Sequence, residues 1–295
     1  MKHKFLFILL FSLVLEGMVT TQAVAGDYVH QVNTLIGTKG TGLTSGYLYP
    51  GATYPYGMVQ FTPSYFSKRS GFVINQLSGG GCEHMGNFPT FPVKGKLKMS
   101  PDNILNYRIN VSEEKGHAGY YEAMVQEDIK AKLTVTERTG MASYEYPADQ
   151  QYGTIIIGGG ISATPIEQAA IVITAPNKCE GYAEGGNFCG LRTPYKVYFV
   201  AEFDTDAFET GTWKREELMP NTTFAEGEYS GVYFTFDVNK KKNIQYKIGV
   251  SYVSVENARE NLKAENAEWD FQKIQNQAEA KWNHYLGMIE VEGTN

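Results

Sequence analysis

Strand-like segments, separated by turn residues at fairly even spacing, run along residues 26–253 of this 295-residue chain. The clearest is residues 129–136, in which Ile, Ala, Leu and Val alternate with Lys and Thr. Period two places alternate side chains on opposite faces of a strand, with one face in the core. Similar segments are residues 120–126, 140–146, 154–157, 195–203, 231–238 and 244–253. The pattern predicts an all-β fold, a two-sheet antiparallel β-sandwich.

The pattern changes at Ser254, a residue type that caps helix N-termini. A first helix is predicted there, and a second is predicted from Asp270. The second helix has an apolar stripe at helical spacing, made by Phe271, Ile274, Ala278, Trp282, Tyr285 and Leu286. The sequence leaves two interpretations open. Either the helices fold back on the sheets, or their apolar faces are covered by a further domain.

Residues 1–25 have the properties of a signal peptide: a basic start, a short apolar segment and an Ala-Val-Ala cleavage pattern. The apolar segment is too short for a good membrane span. We therefore expect a secreted or periplasmic protein with no membrane span after signal cleavage. The chain is mildly acidic, with 26 Lys and Arg against 32 Asp and Glu. It lacks the basic stripe of a nucleic-acid-binding protein, so no nucleic-acid partner is expected.

Three cysteines occur in the chain, and export would place them in an oxidising compartment. Cys179 and Cys189 flank a glycine-rich segment that we interpret as a hairpin loop, and we predict a disulfide between them. Cys82 is then left over as a buried thiol or packing residue. A zinc site at Cys82 is not expected, because no second Cys pair or His cluster accompanies it in the sequence.

Several motifs occur in a fixed order along the chain. The first are IGT at residues 36–38 and PGATYPYGMVQ at residues 50–60. They are followed by GF at 71–72, LSG at 77–79, GC at 81–82, GYY at 119–121, LTVTERTG at 133–140, VYFVAEF at 197–203, GVSYVSVE at 249–256, WDF at 269–271 and AKWN at 280–283. In this order they resemble the N-terminal part of glycoside hydrolase family 92, the calcium-dependent exo-acting α-mannosidases.

The resemblance implies a galactose mutarotase-like supersandwich at residues 26–253 and a helical linker at 254–289. Residues 290–295 would begin an (α/α)6 catalytic barrel that is otherwise missing. An inverting glycosidase needs two carboxyl groups, one protonating the leaving oxygen and one activating water. The resemblance places these groups, and the calcium ligands, mainly on the barrel. We assign no catalytic residue and no metal ligand to this chain.

The resemblance also implies that loops of the sandwich contact substrate. The candidate substrate-binding residues are Gly37, Thr38, Phe72, Gln76, Ser78, Gly79 and His84, with Phe72 or Phe88 as a stacking face for a sugar. Many family members carry histidines where this sequence has Ile74 and Gln76. This departure leaves the linkage preference, and mannose specificity itself, open.

Two functions are considered. The first is the N-terminal domain of a secreted glycoside hydrolase that trims terminal α-mannose from mannose-containing glycans such as N-glycans. The second is a stand-alone carbohydrate-binding module without catalysis. On the first hypothesis the chain is inactive without its C-terminal catalytic domain.

Overall fold

The computed structural model describes residues 26–38, 48–64, 71–76, 85–102 and 110–290. The predicted signal peptide, residues 1–25, lies outside these residues. A short 3₁₀ turn at Val29–Gln31 precedes the first strand. None of the helices in the described ranges is long and apolar enough to cross a membrane.

The described strands are listed here in chain order. The first nine are β1 (Ala52–Thr53), β2 (Gln60–Pro63), β3 (Phe72–Val73), β4 (Thr90–Lys94), β5 (Val111–His117), β6 (Tyr120–Val125), β7 (Ile129–Val135), β8 (Thr139–Glu145) and β9 (Tyr152–Ile157). The others are β10 (Ile166–Ala175), β11 (Lys178–Phe188), β12 (Leu191–Phe203), β13 (Glu209–Lys214), β14 (Glu217–Pro220), β15 (Phe224–Glu226), β16 (Ser230–Asp237) and β17 (Asn243–Ser251).

These strands form two antiparallel sheets. One has the order β1-β2-β3-β4-β9-β16-β13-β14, and the other has the order β15-β10-β11-β12-β17-β8-β7-β6-β5. A single main hydrophobic core contains side chains from both sheets. The predicted all-β fold is therefore confirmed, and so is the alternation in β7, whose odd-numbered residues are buried while Lys130 and Lys132 are only partly covered.

Two helices follow the last strand, α1 (Val255–Glu265) and α2 (Phe271–Leu286). Both start where the sequence predicted. The Ser254 hydroxyl accepts a hydrogen bond from the Asn257 backbone N–H at 3.1 Å, and Asp270 accepts one from the Lys273 backbone N–H at 2.9 Å. These side chains cap N–H groups that have no partner inside the helix.

The helices fold back on the nine-stranded sheet. Helix α1 lies on β17 and β12, where Ala258 and Leu262 form a small second core with Val200. Gly249 of β17 allows this approach, because a Cβ atom there would lie 2.5 Å from the Ala258 carbonyl oxygen. Helix α2 lies on β6, β7 and β8 and buries Ile274. Of the two interpretations that the sequence left open, packing on the chain's own sheet is the one observed.

A buried lysine fixes the link between the helices. Lys247 of β17 donates hydrogen bonds to the carbonyl oxygens of Asn266 and Ala267 at 2.9 and 3.0 Å. Its ammonium lies 4.2 Å from the ring centroid of Trp269, a cation–π distance. Burial lowers the pKa of Lys247. The link between α1 and α2 is thus tied to the sheet by a polar contact and by packing.

The predicted Cys179–Cys189 disulfide is wrong. Cys179 is a free, buried thiol in β11, opposite Ala201, whereas Cys189 is disulfide-bonded. The segment between them is a strand rather than a loop, and ten residues of strand span about 33 Å. A disulfide requires Cα atoms within about 7 Å. The hairpin turn lies at Cys189 and Gly190, which both have positive φ as in a two-residue type I′ turn.

The different states of Cys179 and Cys189 predict which of them an alkylating reagent modifies. In denaturant without reductant, an alkylating reagent should modify Cys179 and leave Cys189 unmodified, as read by peptide mass spectrometry. In the native protein Cys179 should resist the reagent, because it is fully buried and burial raises the pKa of its thiol. Labelling after reduction is the control and should mark Cys189 as well. Modification of Cys189 without reductant would contradict this account.

Candidate functional site

Two asparagines join the segments that follow β3 and precede β4. The Asn75 side-chain NH₂ donates to the Asn87 side-chain oxygen at 3.0 Å. The Asn87 backbone N–H donates in return to the Asn75 side-chain oxygen at 2.8 Å. Both residues are buried. Gly86, at φ +74°, lets the chain turn immediately before Asn87. The reciprocal bonds therefore fix the two segments side by side.

Two tyrosines of the other sheet complete this group. The Tyr195 hydroxyl, in β12, donates to the Asn87 side-chain oxygen at 2.7 Å. The Tyr252 hydroxyl, just after β17, accepts from the Asn75 NH₂ at 3.4 Å. Burial raises the pKa of both phenols, so both are neutral at physiological pH. We call Asn75, Gln76, Asn87, Tyr195 and Tyr252 the amide–tyrosine cluster.

Gln76 is the unusual member of the cluster. Its side chain is fully buried, yet neither its amide nitrogen nor its amide oxygen has a hydrogen-bond partner in the described part of the chain. The Asn87 side-chain nitrogen also has no hydrogen-bond partner in the described part of the chain. Buried polar groups are nearly always paired, because an unpaired one costs about 1–3 kcal/mol. An amide offers both donors and an acceptor, the combination that matches neighbouring hydroxyl groups of a sugar.

The predicted residues near the start of the chain are used in local structure. Gly37 has φ +76°, and a Cβ atom there would lie 2.5 Å from Leu48 Cδ1. Thr38 is buried, and its hydroxyl donates to the Leu35 carbonyl oxygen at 2.8 Å. Both residues therefore stabilise a turn, and their contact with substrate stays a prediction.

The stacking role predicted for Phe72 and Phe88 is wrong for this structure. Both rings are completely buried in the main core. Phe72 packs against Phe61, Tyr121 and Tyr144, and Phe88 lies 4.2 Å from Phe199 between ring centroids. Aromatic side chains of the core lie against both rings, so neither ring can stack on a sugar. These residues instead anchor the two segments that carry Asn75 and Asn87.

The remaining predicted site residues, Ser78, Gly79 and His84, lie outside the described residues. They fall between Gln76 and Met85 in sequence, directly beside the cluster. Their roles stay predictions.

Sequence reasoning missed Asn87, Tyr195 and Tyr252. Asn87 is 108 residues from Tyr195, and Asn75 is 177 residues from Tyr252. These pairs meet only because the two sheets pack together, so no local sequence pattern predicts them. The sequence signal available was the position of polar residues next to short apolar strands, Asn75 after β3 and Asn87 before β4.

One group of His and acidic side chains comes together among the described residues, and its donor atoms do not suit calcium. Calcium prefers six to eight oxygen ligands. The group of metal-binding side chains found in the described residues is His30, His117 and Glu279, which offers two imidazole nitrogens and one carboxylate. We therefore derive no role for calcium within this part of the chain.

The architecture and the cluster define a β-sandwich with helices docked on one sheet and neutral hydrogen-bonding groups near the ends of interior strands of both sheets. The model of the glycosyl hydrolase family 92 N-terminal domain matches residues 31–251. The model of the family 92 catalytic domain matches residues 257–295. The chain belongs to glycosyl hydrolase family 92, which confirms the resemblance seen in its motifs.

Individual relatives agree with this assignment. An uncharacterised secreted glycosidase of Arthroderma benhamiae is 25% identical over an alignment 322 residues long. The alignment covers 95% of this chain and 41% of that protein. The solved structure of the family 92 glycosyl hydrolase ccman5 is 22% identical, with a TM-score of 0.79 over 91% of this chain and 38% of that one. A family 92 α-mannosidase of Bacteroides thetaiotaomicron is 24% identical, with a TM-score of 0.75 over 89% of this chain and 38% of that one. The chain thus spans about two fifths of the length of these relatives.

The unpaired amide of Gln76 predicts an effect on stability. Gln76→Met keeps the shape of the side chain and removes the unpaired polar atoms, so the free energy of unfolding should rise by about 1 kcal/mol. Asn87→Ala is the matched comparison and should lower it by about 1–3 kcal/mol, because Tyr195 and Asn75 lose their partner. Urea denaturation of the three proteins measures both changes. A loss of stability in Gln76→Met similar to that in Asn87→Ala would show that Gln76 is satisfied within the fold.

Proposed function

We propose that this chain forms the β-sandwich part of a calcium-dependent exo-α-mannosidase that removes terminal α-mannose from glycans such as N-glycans by inverting hydrolysis. Family membership supports the glycosidase class. The mannose specificity is supported by solved relatives, one described as an inverting mannosidase and one as an α-mannosidase in complex with mannoimidazole. The secreted relative supports an exported protein, and the amino-terminal sequence supports a signal peptide at residues 1–25.

The observation that carries the role of this part is the buried, unpaired amide of Gln76. Unsatisfied polar groups persist where another function requires them. In this proposal Gln76 binds hydroxyl groups of a mannose-containing glycan, together with Ser78, Gly79 and His84 of the adjacent segment. Asn75, Asn87 and Tyr195 hold Gln76 in place rather than contact the sugar. Contact of Gly37 and Thr38 with substrate is kept as part of this proposal from the sequence alone.

The chemical step is assigned to the catalytic domain, whose family model begins to match at residue 257. The described cluster consists of amides and neutral phenols. These groups bind hydroxyls but do not act as the carboxylic acid and carboxylate that inversion needs. We place both carboxyl groups and the calcium ligands in that domain. Calcium, when bound there, would hold sugar hydroxyls through its oxygen-seeking coordination.

A stand-alone carbohydrate-binding module is the second candidate. The observation that favours it is the packing of α1 and α2 on the chain's own sheet, which buries Ala258, Leu262, Ile274 and Ala278. A fold whose helices are covered by its own sheet requires no partner to cover them. This candidate keeps the same sugar-binding cluster and omits catalysis.

The pure chain should not hydrolyse aryl α-mannosides, with or without added calcium, because the carboxyl pair is assigned to the catalytic domain. Release of the aryl group, followed by absorbance, measures the rate. The positive control is a full-length family 92 α-mannosidase under the same conditions. Calcium-dependent turnover by the pure chain would overturn the division of roles proposed here.

Sugar affinity separates the two candidates. On the first, calorimetry with mannose should detect weak binding at most, because the catalytic domain forms the other wall of the pocket. Micromolar affinity would favour the stand-alone module. Gln76→Met should reduce whatever affinity is measured, and Lys240→Ala, a change at an exposed turn residue, is the matched control. Equal affinity in Gln76→Met and in the parent chain would remove Gln76 from the binding surface.

A further inference from the structure

Three ionisable side chains from distant parts of the chain meet beside α2. His30 lies in the 3₁₀ turn, His117 is the last residue of β5, and Glu279 lies in the middle of α2. One ligand atom from each lies within 4.8 Å of the other two. The His117 Nε2 atom is 2.7 Å from the Glu279 carboxylate, and the two imidazole rings lie 4.4 Å apart between centroids. We propose that His30, His117 and Glu279 form a zinc-binding site.

The donor atoms select the kind of metal. Two imidazole nitrogens and one carboxylate suit zinc and similar first-row cations, whereas calcium and magnesium take oxygen ligands. Zinc with three protein ligands keeps a fourth position for water. Zinc–ligand bonds of about 2.0–2.2 Å place tetrahedral ligand atoms about 3.4 Å apart. The widest separation in the group must therefore close by a little over an ångström on binding, and the 2.7 Å contact between His117 and Glu279 must open to about 3.4 Å as zinc replaces the shared proton.

The exposed fractions of the three side chains show which ligand can move to close the site. The side chains of His117 and Glu279 are only 15% and 17% exposed, whereas that of His30 is 54% exposed. The His117 ring is also stacked on Tyr120, with 5.0 Å between centroids. His117 and Glu279 thus form the more buried half of the site, in which only a small adjustment is needed. His30, at the surface, can rotate to close it.

Neighbouring groups orient the ligands as in known zinc sites. Ligating histidines commonly bond a carboxylate through the ring nitrogen that does not bind the metal. The Asp27 carboxylate lies 2.6 Å from the His30 Nδ1 atom, which leaves Nε2 for the metal. The Gln275 side-chain NH₂ donates to the Glu279 carboxylate at 2.7 Å. Asp27 and Gln275 therefore act as positioning residues.

Zinc at this position would join three elements that already touch. The backbone N–H groups of Tyr28 and Val29 donate to the Asn283 side-chain oxygen of α2 at 2.9 and 3.0 Å. A metal held by His30, His117 and Glu279 would add a second connection between the amino-terminal segment, the sheet and the helix. Zinc would therefore tie the amino-terminal segment to α2 while keeping one open position, and the site is separate from the amide–tyrosine cluster in both residues and chemistry.

The test uses the untagged chain, stripped of metal with a chelator and titrated with zinc chloride by calorimetry. We expect one equivalent to bind, and zinc at a hundredfold excess over Kd to raise Tm by about 5 °C. His30→Ala and His117→Ala should weaken zinc binding more than tenfold, and Asp27→Asn should weaken it about tenfold. His284→Ala is the matched control, because His284 is an exposed histidine of α2 outside the group. Calcium chloride in place of zinc should give neither heat nor a shift in Tm.

His30→Ala keeps the test decisive if His117→Ala fails to fold. The exposed His30 side chain contributes little to packing, so this variant should melt like the parent chain in chelator. Absence of zinc binding by the parent chain would overturn the proposal. Affinity in His30→Ala equal to that in His284→Ala would do the same, and would leave His117 and Glu279 as a simple hydrogen-bonded pair.

Discussion

Aromatic contacts across the gap between the two sheets are the interaction on which the rest of the structure depends. Phe203 of the nine-stranded sheet lies 4.8 Å from Phe234 of the other sheet, between ring centroids. Phe72 and Tyr144 meet in the same way at 6.2 Å. Burying one such side chain completely stabilises the fold by about 1.5–3 kcal/mol, and aromatic pairs add to that. Because these rings come from both sheets, they fix the relative position of the sheets as well as the stability of each.

The position of the amide–tyrosine cluster follows from this packing. Phe88 inserts between the sheets against Phe199 of β12 and carries its neighbour Asn87 toward Tyr195 of the same strand. Each polar bond of the cluster therefore lies next to an aromatic contact of the core. A rigid apolar anchor beside a buried polar group holds that group in one orientation, which a binding site requires. Gln76 directly follows Asn75, so the bonds between Asn75 and Asn87 fix the backbone from which its unpaired amide extends.

The sequence predicted what depends on local pattern. Alternation in β7, and the caps Ser254 and Asp270, gave the strand and both helix starts, because these signals involve residues a few positions apart. The wrong predictions arose where one residue type is common in two kinds of structure. Glycines in residues 180–188 suggested a loop, yet they lie in β11, where Gly181 is opposite Ile171 and leaves room for the neighbouring strand.

The phenylalanines of the candidate site were misjudged for a related reason. A Phe beside polar residues suits a sugar-binding face and a core position equally well. Only the packing of the sheets decides between them. The same limit applies to Asn87 and Tyr252, whose partners lie far away in sequence. The sequence singled out Gln76 because the resemblance places a histidine at that position, a signal that does not depend on distance, and its contact with sugar stays a proposal.

The packing of α2 bears on how this chain works. Ile274 and Ala278 are the buried residues of α2, and Phe271, Trp282, Tyr285 and Leu286 are half-buried. Polar contacts add to this packing: the Trp282 ring N–H donates to the Thr53 carbonyl oxygen at 2.6 Å, and Asn283 binds the amino-terminal segment.

Such a helix is docked in a defined orientation, with its apolar stripe turned toward the sheet and partly open at the carboxyl end. Met288 and Ile289, just beyond its end, are 68% and 81% exposed. The family model of the catalytic domain begins to match at residue 257, so both helices lie almost entirely within its range while they pack on the sandwich. Helices that contact the sandwich on one side and leave apolar residues open beyond it are placed to connect two domains. In the proposed glycosidase these helices would therefore lie between the sandwich and the remainder of the catalytic domain.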